Sequence, residues 1–342
     1  MSGGIDSSVA AILLQKNGYR LYGVTFIFSG NEDSKQHHSV ESARLLAGKL
    51  GIEHHVVDLR SEFKAQVINY FINDYASGNT PFPCAVCNPQ LKFLNLEKVA
   101  KELSCDFIST GHYANITENN GIKYISTGSD GEKDQSFFLW GLKEKTINKL
   151  LLPLGNFSKD EVREIATGNG FENLNKKRES LGICFIKGND YRKFLSDSGL
   201  ESNPGKFVDS KGSIIGQHKG IFNYTVGQRR GLGLHLNKPV FVSEIRMETN
   251  EVVLSGFDEM YRSRIFLMNI HFVGKSEPEA NNIYTIKIRY RLQKNSCRII
   301  KLSDNKVVVD LMEPVSMVAN GQTAVFYDGD RVIGGGFIES SE

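Results

Sequence analysis

The chain has 342 residues, of which 40% are hydrophobic and 23% charged, and its net charge is +2. This composition favours folded domains, two or three on a prior of ~100–200 residues each, and argues against a disordered chain. Because the overall charge is close to neutral, a nucleic-acid partner would need a local basic patch. No apolar run approaches the ~18–20 residues of a membrane span, and no charged-then-apolar leader opens the sequence. We therefore expect a cytoplasmic protein with no membrane contact.

The sequence opens on a Gly-Ser loop followed by helical periodicity. Residues 1–8 read Met-Ser-Gly-Gly-Ile-Asp-Ser-Ser, and the apolar spacing that follows ends at Gly18. Two glycines allow a tight turn and a close approach to a ligand, and a helix N-terminus favours a polyanion. The lysine of a Walker loop is absent. The alternative is a Gly-Gly turn that precedes a helix by chance. A strand normally delivers such a loop, so we expect the first strand of the sheet to be missing.

The next hundred residues alternate between strand and helix signals. Strands are predicted over 20–28, 54–59 and 106–110, and helices over 40–50, 63–76 and 95–103. This order predicts βαβ units and a parallel sheet, in which ligands bind beyond the carboxyl ends of the strands. Gly111, His112 and Tyr113 follow one of those ends. The sequence therefore predicts an α/β nucleotide-binding domain over residues 1–133.

The remainder divides into a helical and a β-rich part. Helical patterns cover 135–140, 143–150, 159–169 and 191–198, which predicts a small, mainly helical central domain over 134–204. Short alternating runs follow at 206–209, 240–245, 252–254, 284–292, 307–311 and 323–327. They predict an antiparallel region over 205–342, with a small β element and then a C-terminal β-barrel.

The five cysteines do not form a disulfide scaffold, because the set is odd and sparse for a chain of this length. Cys84 and Cys87 lie in a proline-stiffened loop, and Cys184 lies in a glycine-containing segment far along the chain. A structural zinc site would need four ligands, and a thioredoxin-type pair would need a different βαβ context, so we expect no structural metal. Burial as free thiols is the alternative, which we adopt for Cys105 and Cys297. The loop settings favour a reactive role for Cys87 and Cys184.

A basic strand provides a candidate nucleic-acid surface. Over residues 284–292, Ile286 and Ile288 alternate with Lys287, Arg289 and Arg291, and residues 287–306 contain seven Lys or Arg against one acid. Such a stripe could bind phosphates. An ordinary solvated strand face is the alternative interpretation.

Six motifs together resemble the tRNA-specific 2-thiouridylase family of PP-loop ATP pyrophosphatases. They are Ser-Gly-Gly-Ile-Asp-Ser-Ser at 2–8, Thr-Pro-Phe-Pro-Cys-Ala-Val-Cys-Asn at 80–88, Thr-Gly-His-Tyr at 110–113, Lys-Asp-Gln-Ser at 133–136, Gly-Ile-Cys-Phe-Ile at 182–186 and Tyr-Thr-Val-Gly-Gln-Arg-Arg-Gly-Leu-Gly at 224–233. They run in order along nearly the whole chain. The resemblance implies a PP-loop α/β domain, a small central domain and a C-terminal β-barrel domain.

The resemblance also implies a mechanism. ATP would adenylate the C2 oxygen of a wobble uridine in tRNA, with Mg²⁺ bridging phosphate oxygens and Asp6 as a helper. A sulfur-carrier protein would load Cys184 as a persulfide. Cys87 would then act as nucleophile and leave a transient Cys87–Cys184 disulfide. A thiolate with a depressed pKa would serve this chemistry best.

The family pattern extends to individual residues. ATP contacts are implied at Met1, Ser2, Gly3, Gly4, Ile5, Asp6, Ser7, Phe26 and Gly111. Target-base contacts are implied at Phe82, Pro83 and Cys84, and tRNA contacts at His112, Lys133, Asp134, Gln135, Arg289, Tyr290 and Gln322. Phe82 replaces the asparagine usual in the family, and an aromatic ring could instead stack on an extruded base.

Two other functions remain open from sequence. Another PP-loop synthetase would explain the first loop but would not need Cys87 and Cys184. A non-catalytic RNA-binding relative would need only the basic barrel. We expect a monomer in either case.

Overall fold

The computed structural model describes the chain except residues 31–34, 177–181, 187, 189, 237, 275–277, 280–281, 292–293 and 304. The first part contains parallel strand pairs and crossover helices. Strand β1 (Tyr22–Ile27) pairs in parallel with β2 (Glu53–Asp58), and β3 (Ile108–Ser109) pairs in parallel with β6 (Leu150–Leu151). Helix α1 (Ile5–Lys16) precedes β1, and α2 (Lys35–Leu50) connects β1 to β2. The predicted α/β class is confirmed.

The start of the chain lies beside β1. The Met1 amino group donates to the Val24 carbonyl, and the Thr25 hydroxyl donates to the Met1 carbonyl over 2.6 Å. These contacts hold the Gly-Ser loop, which immediately precedes the first residue of α1, beside β1.

Two long helical stretches follow β2, and each contains a π-helical turn. The first consists of α3 (Arg60–Phe63), a π turn (Lys64–Ile68) and α4 (Asn69–Ala76). The second consists of α5 (Pro83–Cys87), a π turn (Asn88–Lys92) and α6 (Phe93–Glu102). Asn88 secures the second π turn by donating to the Phe138 carbonyl over 2.8 Å. Such π turns often accompany functional sites.

Short helices connect the α/β part to the β-rich part. They are a 3-10 turn (Ser136–Phe138), α7 (Glu144–Ile147), α8 (Lys159–Gly168), a 3-10 turn (Glu172–Lys176) and α9 (Tyr191–Asp197). The helix predicted over 143–150 is wrong at its end, because Leu150 belongs to β6. Ser158 and Glu161 form a capping box at the start of α8. Helix α8 packs on α1 through a shared apolar cluster that includes Val9, Ile12, Val162 and Ala166.

The β-rich part forms a small sheet and a closed barrel, as the alternating pattern predicts. Strands β7 (Gly205–Asp209), β8 (Ile214–His218), β9 (Phe241–Arg246) and β10 (Glu251–Ser255) form the sheet in the order β8-β7-β10-β9. The barrel is antiparallel and closes because β11 pairs with both β14 and β16. Its strands are β11 (Tyr261–Phe272), β12 (Tyr284–Lys287), β13 (Asn295–Ser303), β14 (Lys306–Ser316), β15 (Thr323–Asp328) and β16 (Arg331–Ser341).

A hairpin joins the first part of the chain to the barrel. Strands β4 (Ala114–Asn119) and β5 (Ile122–Thr127), which the sequence patterns did not predict, extend the barrel sheet where Ser126 pairs with Arg331. One core cluster accordingly combines Phe137 and Trp140 with Tyr327 and Val332. None of the helices in the described part of the chain is long and apolar enough to cross a membrane.

Candidate active site

The Gly-Ser loop has the geometry of an anion site. Gly3 adopts a φ of +68°, and a Cβ there would lie 2.5 Å from the Ser39 carbonyl oxygen of α2, so only glycine fits. Gly4 is the N-cap of α1 and provides no side-chain cap. The first N–H groups of a helix have no intrahelical partner, and at α1 no N-cap side chain accepts from them. The Ser7 hydroxyl fixes the loop by accepting from the Ser2 amide over 3.1 Å.

Two elements from elsewhere in the chain meet at this loop. A Cβ at Gly111 would lie 2.7 Å from the backbone carbon of Asp6, which requires glycine there. Oδ1 of Asp6 accepts from Nζ of Lys159 and from the hydroxyl of Tyr113, both over 2.7 Å. The side chain of Lys159 is only 8% exposed. Sequence reasoning missed Lys159, because its position at the start of α8 gives no local sign of a partner in α1.

The backbone amides of this loop and the nearby Lys159 ammonium have the charge that complements phosphate, and ATP binding at these residues stays a prediction. The helper role of Asp6 toward Mg²⁺ stays a prediction; in this structure its Oδ1 accepts from Lys159 and Tyr113. Within the described ranges, no group of three or more His, Cys, Asp or Glu residues is arranged to hold a metal ion.

Three thiols from two distant segments lie near enough to interact electrostatically. Cys84 and Cys87 lie on α5 and are half-buried, whereas Cys184 lies in a turn and is exposed. Cys184 is close enough to influence the ionisation of both other thiols. Cys87, Phe26 and Phe185 also border one apolar cluster. The structure therefore brings together the two cysteines that the sequence singled out, and adds Cys84.

The thiols are protonated at neutral pH in this form. Burial raises the pKa of Cys87 to about 12 and that of Cys84 to about 11. Desolvation by the surrounding protein also raises the pKa of Cys184, although that residue is exposed as a whole. The expectation of a depressed thiol pKa is wrong for this form, because desolvation outweighs the nearby positive charge.

That positive charge is Lys92, which the sequence analysis did not identify. Its ammonium faces all three thiols and lies 6.0 Å from the centre of the Phe93 ring. Burial lowers the pKa of Lys92, and the charge of Lys92 in turn lowers the pKa of each thiol. In the sequence, Lys92 lies five residues after Cys87. The π turn, in which residues five apart are hydrogen-bonded neighbours, brings Lys92 to the side of the helix that carries the thiols.

His112 lies between Lys92, which acts on the thiols, and the Gly-Ser loop. Its ring stacks on Phe93 with a centroid distance of 6.0 Å, and its Nδ1 lies 2.7 Å from the Thr110 hydroxyl. Burial, with a contribution from Lys92, holds the pKa of His112 well below its usual value. The ring is therefore neutral at physiological pH. It follows Gly111, which packs against Asp6 at the start of α1.

The predicted base-contacting residues lie in an aromatic group. The Phe82 ring stacks on Phe138 with a centroid distance of 5.6 Å and meets the edge of Phe137. Phe138 in turn contacts Tyr290 at 4.5 Å. Pro83, the first residue of α5, is buried. One face of the half-buried Phe82 ring is thus covered by Phe138, so the predicted stacking on a base would have to use the opposite face.

Several predicted tRNA contacts also hold the fold together. Asp134 is 4% exposed and accepts from Ser136 and from Nζ of Lys287. Gln322 donates to the Thr80 carbonyl over 2.9 Å. The amide of Gln135 donates to the Tyr113 carbonyl over 2.7 Å, while the Lys133 amide donates to the Asp130 carbonyl.

The basic stripe is only partly presented to solvent. Strand β12 ends at Lys287, earlier than predicted, and Leu292 lies outside the described residues. Ile286 and Ile288 are buried as expected. Lys287, expected to face solvent, is instead 13% exposed and pairs with Asp134 over 3.3 Å. Arg289 donates to the Met317 carbonyl, and burial lowers its pKa.

Comparisons with known proteins account for the whole chain. Three family models match in succession: the tRNA methyl transferase HUP domain over 1–188, the tRNA methyl transferase PRC-barrel domain over 192–256 and the aminomethyltransferase beta-barrel domain over 262–338. A protein of Bacteroides fragilis named tRNA-specific 2-thiouridylase MnmA 1 is 43% identical, covering 100% of this chain and 96% of its own length. The chain belongs to the tRNA-specific 2-thiouridylase family.

Other 2-thiouridylases show the same full-length relationship. The MnmA 2 protein of Phocaeicola vulgatus is 45% identical over 99% of this chain and 96% of its own. The MnmA 1 protein of Clostridium botulinum is 40% identical over 99% of this chain and 97% of its own. The family resemblance predicted from the six motifs is thereby confirmed.

Proposed function

We propose that this chain is an ATP-dependent tRNA-uridine 2-sulfurtransferase that thiolates the wobble uridine. The observation that carries the proposal is the proximity of Cys184 to Cys87 beside Lys92, next to a phosphate-binding loop. A synthetase that only adenylates a small substrate would have no use for two converging thiols. The names of the relatives, which are 2-thiouridylases, agree with this assignment.

The first step would activate the base. ATP supplies an electrophilic α-phosphorus, which the C2 oxygen of uridine attacks as pyrophosphate leaves. The amides at the start of α1 would hold the phosphates, and Lys159 would shift from Asp6 toward the leaving pyrophosphate. The face of Phe82 opposite Phe138 would stack on the base. Activation is needed because a carbonyl oxygen is a poor leaving group and a phosphate ester is a good one.

The second step would transfer sulfur. A sulfur-carrier protein would load Cys184, whose exposure suits an exchange between proteins. The terminal sulfur of the Cys184 persulfide attacks C2, and AMP leaves. The Cys87 thiolate then attacks the Cys184 sulfur and breaks the bond to the transferred sulfur, which stays on the base. The products are 2-thiouridine and a Cys87–Cys184 disulfide, which a dithiol must reduce.

A single-turnover assay tests this proposal. Unmodified tRNA is incubated with ATP, Mg²⁺ and a persulfide donor, and both 2-thiouridine and AMP are quantified. We expect the wild-type chain to form both. Cys184→Ser should release pyrophosphate and leave the AMP group on the tRNA without forming 2-thiouridine, and Cys105→Ser should behave as wild type. Thiolation by Cys184→Ser would overturn the role of that residue.

The same assay separates the alternative functions. AMP formation without thiolation by the wild-type chain would indicate another PP-loop synthetase. Binding of tRNA with neither product would indicate a non-catalytic RNA-binding relative. Size-exclusion chromatography with light scattering tests the expected monomer.

A further inference from the structure

The proposed reaction uses two thiols, but a third lies in the same cluster. Cys84 is half-buried on α5, three residues before Cys87. Burial raises the pKa of Cys84, and Cys184 lies near enough that its charge raises that pKa further. In helical geometry, residues three apart have Cα atoms roughly 5 Å apart. That separation falls within the range of about 4.4–6.8 Å over which disulfides form. The Cβ atoms of such a pair lie about 5–6 Å apart in a regular helix and about 3.5–4.5 Å apart in a disulfide, so the bond requires a local adjustment of the single turn of α5.

We propose that Cys84 is a resolving thiol that releases Cys184 from its disulfide with Cys87 after each sulfur transfer. This inference deepens the proposed function and rests on it. The Cys84 thiolate attacks the Cys87 sulfur, the Cys87–Cys184 bond breaks, and Cys184 leaves as a thiolate. The new Cys84–Cys87 disulfide is then reduced by an external dithiol, which becomes oxidised. Electrons balance, since one disulfide replaces another before the dithiol supplies two electrons.

Lys92 makes this exchange electrostatically feasible. Its ammonium faces Cys84, Cys87 and Cys184, so one cation can stabilise whichever of the three becomes the thiolate. His112 and the Met1 amino group also face Lys92, and both are held neutral near physiological pH by burial. The attacking and the leaving thiolate therefore share one counter-charge, and the exchange moves no net charge out of the cluster.

The location of the product bond explains why a third thiol would be useful. A Cys87–Cys184 bond fastens the exposed turn of Cys184 to α5, and it occupies the sulfur that must receive the next persulfide. A Cys84–Cys87 bond lies within one helix and leaves that turn available. A carrier protein could then reload Cys184 while the reductant acts on α5.

The first test uses the free protein, so it does not depend on tRNA thiolation. The wild-type chain and variants with one cysteine replaced are oxidised with stoichiometric diamide. The remaining thiols are alkylated, and disulfide-linked peptides are mapped by mass spectrometry. We expect Cys184→Ser to form the Cys84–Cys87 bond and Cys84→Ser to form the Cys87–Cys184 bond. In the wild-type chain, the Cys87–Cys184 bond should appear first and convert to Cys84–Cys87. The absence of a Cys84–Cys87 bond from oxidised Cys184→Ser would overturn the proposal.

The second test follows successive turnovers at limiting dithiothreitol. We expect the ratio of second-turnover to first-turnover rate to fall at least tenfold in Cys84→Ser and to recover with excess phosphine, which reduces the Cys87–Cys184 bond directly. Cys105→Ser, which alters a thiol outside the cluster, should keep the wild-type ratio. An unchanged ratio in Cys84→Ser would overturn the resolving role, whereas no first turnover by the wild-type chain would overturn the proposed function. Cys84→Ala replaces the serine variant if the latter does not fold.

Discussion

Lys159 places its ammonium 2.7 Å from Oδ1 of Asp6, although the two residues lie 153 positions apart in the chain. Removing the lysine leaves a half-buried carboxylate in the phosphate loop. We expect Lys159→Met to lower the free energy of unfolding by about 2 kcal/mol and to weaken ATP binding at least tenfold. Lys193, which pairs with Asp197 over 2.9 Å at 70% and 61% exposure, is the matched control.

Denaturant unfolding and ATP titration measure both effects. Lys193→Met should change stability by less than about 1 kcal/mol, because exposed ion pairs contribute little. Equal losses in the two variants, with ATP affinity intact, would refute a special role for Lys159.

Gly3 and Gly51 provide a matched pair for the loop. Their φ angles are +68° and +66°, but a Cβ at Gly3 would meet Ser39 and α2, whereas a Cβ at Gly51 would have nothing within 4 Å. We expect Gly51→Ala to lose only the ~1–2 kcal/mol of a left-handed alanine. Gly3→Ala should lose more stability and abolish ATP binding. Thermal unfolding with and without ATP distinguishes steric clash from backbone strain, since equal losses would rule out the clash.

Lys92 should control the reactivity of the thiols. Without this cation, the already raised pKa values of Cys87 and Cys184 rise further, so less thiolate is present at any pH below them. We expect Lys92→Met to slow iodoacetamide alkylation of both cysteines about tenfold at pH 8 and to displace the pH profile upward. Lys92→Arg should preserve most of the rate.

The control for this measurement is Lys98→Met, which removes an exposed lysine from the same helical stretch. Peptide mass spectrometry reports the alkylation rate at each cysteine separately. A Lys92→Met profile that coincides with that of Lys98→Met would show that the ammonium does not act on the thiols.

Lys287 and Asp134 form an ion pair at 13% and 4% exposure. Because removal of one partner leaves a buried charge, we expect Lys287→Met to destabilise the protein by about 3–5 kcal/mol. Adding Asp134→Asn should recover part of the loss. The exposed pair of Lys306 and Glu339, 2.6 Å apart, is the control.

The salt dependence of tRNA binding tests the same lysine in a second way. A phosphate contact changes the slope by about one unit. We expect the salt-dependence slope to be unchanged in Lys287→Met, because the charge of Lys287 is already paired with that of Asp134. A flatter slope at full stability would instead make Lys287 a phosphate ligand.

The sequence predicted the helices and strands whose formation is determined by neighbouring residues. Apolar periodicity and terminal glycines indicated α1, α2 and the end of α4, and alternation indicated β1 and β12. Strands β4 and β6 were missed, since β6 has two residues and β4 exposes Thr117 and Asn119 on a half-polar pattern. The partner of β6 is β3, about forty residues earlier in the chain, so no short window of sequence reports that pairing.

The candidate site divides in the same way. Cys87 and Cys184 stood out because loop residues surround them. Lys92 and Lys159 did not, since the significance of each depends on a carboxylate or thiol supplied by another element. A charged residue near a motif remains ambiguous until the fold identifies its neighbours.

The hydroxyl of Tyr327 in β15 lies 3.2 Å from that of Ser136, and both side chains are buried in a core shared with Phe137 and Trp140. A fragment beginning near residue 205 would expose that tyrosine and the strand face around it to water. The barrel and the first 150 residues therefore share one core. We infer that the barrel would be less stable as a separate fragment than in the full chain, because folding it alone would leave this core incomplete.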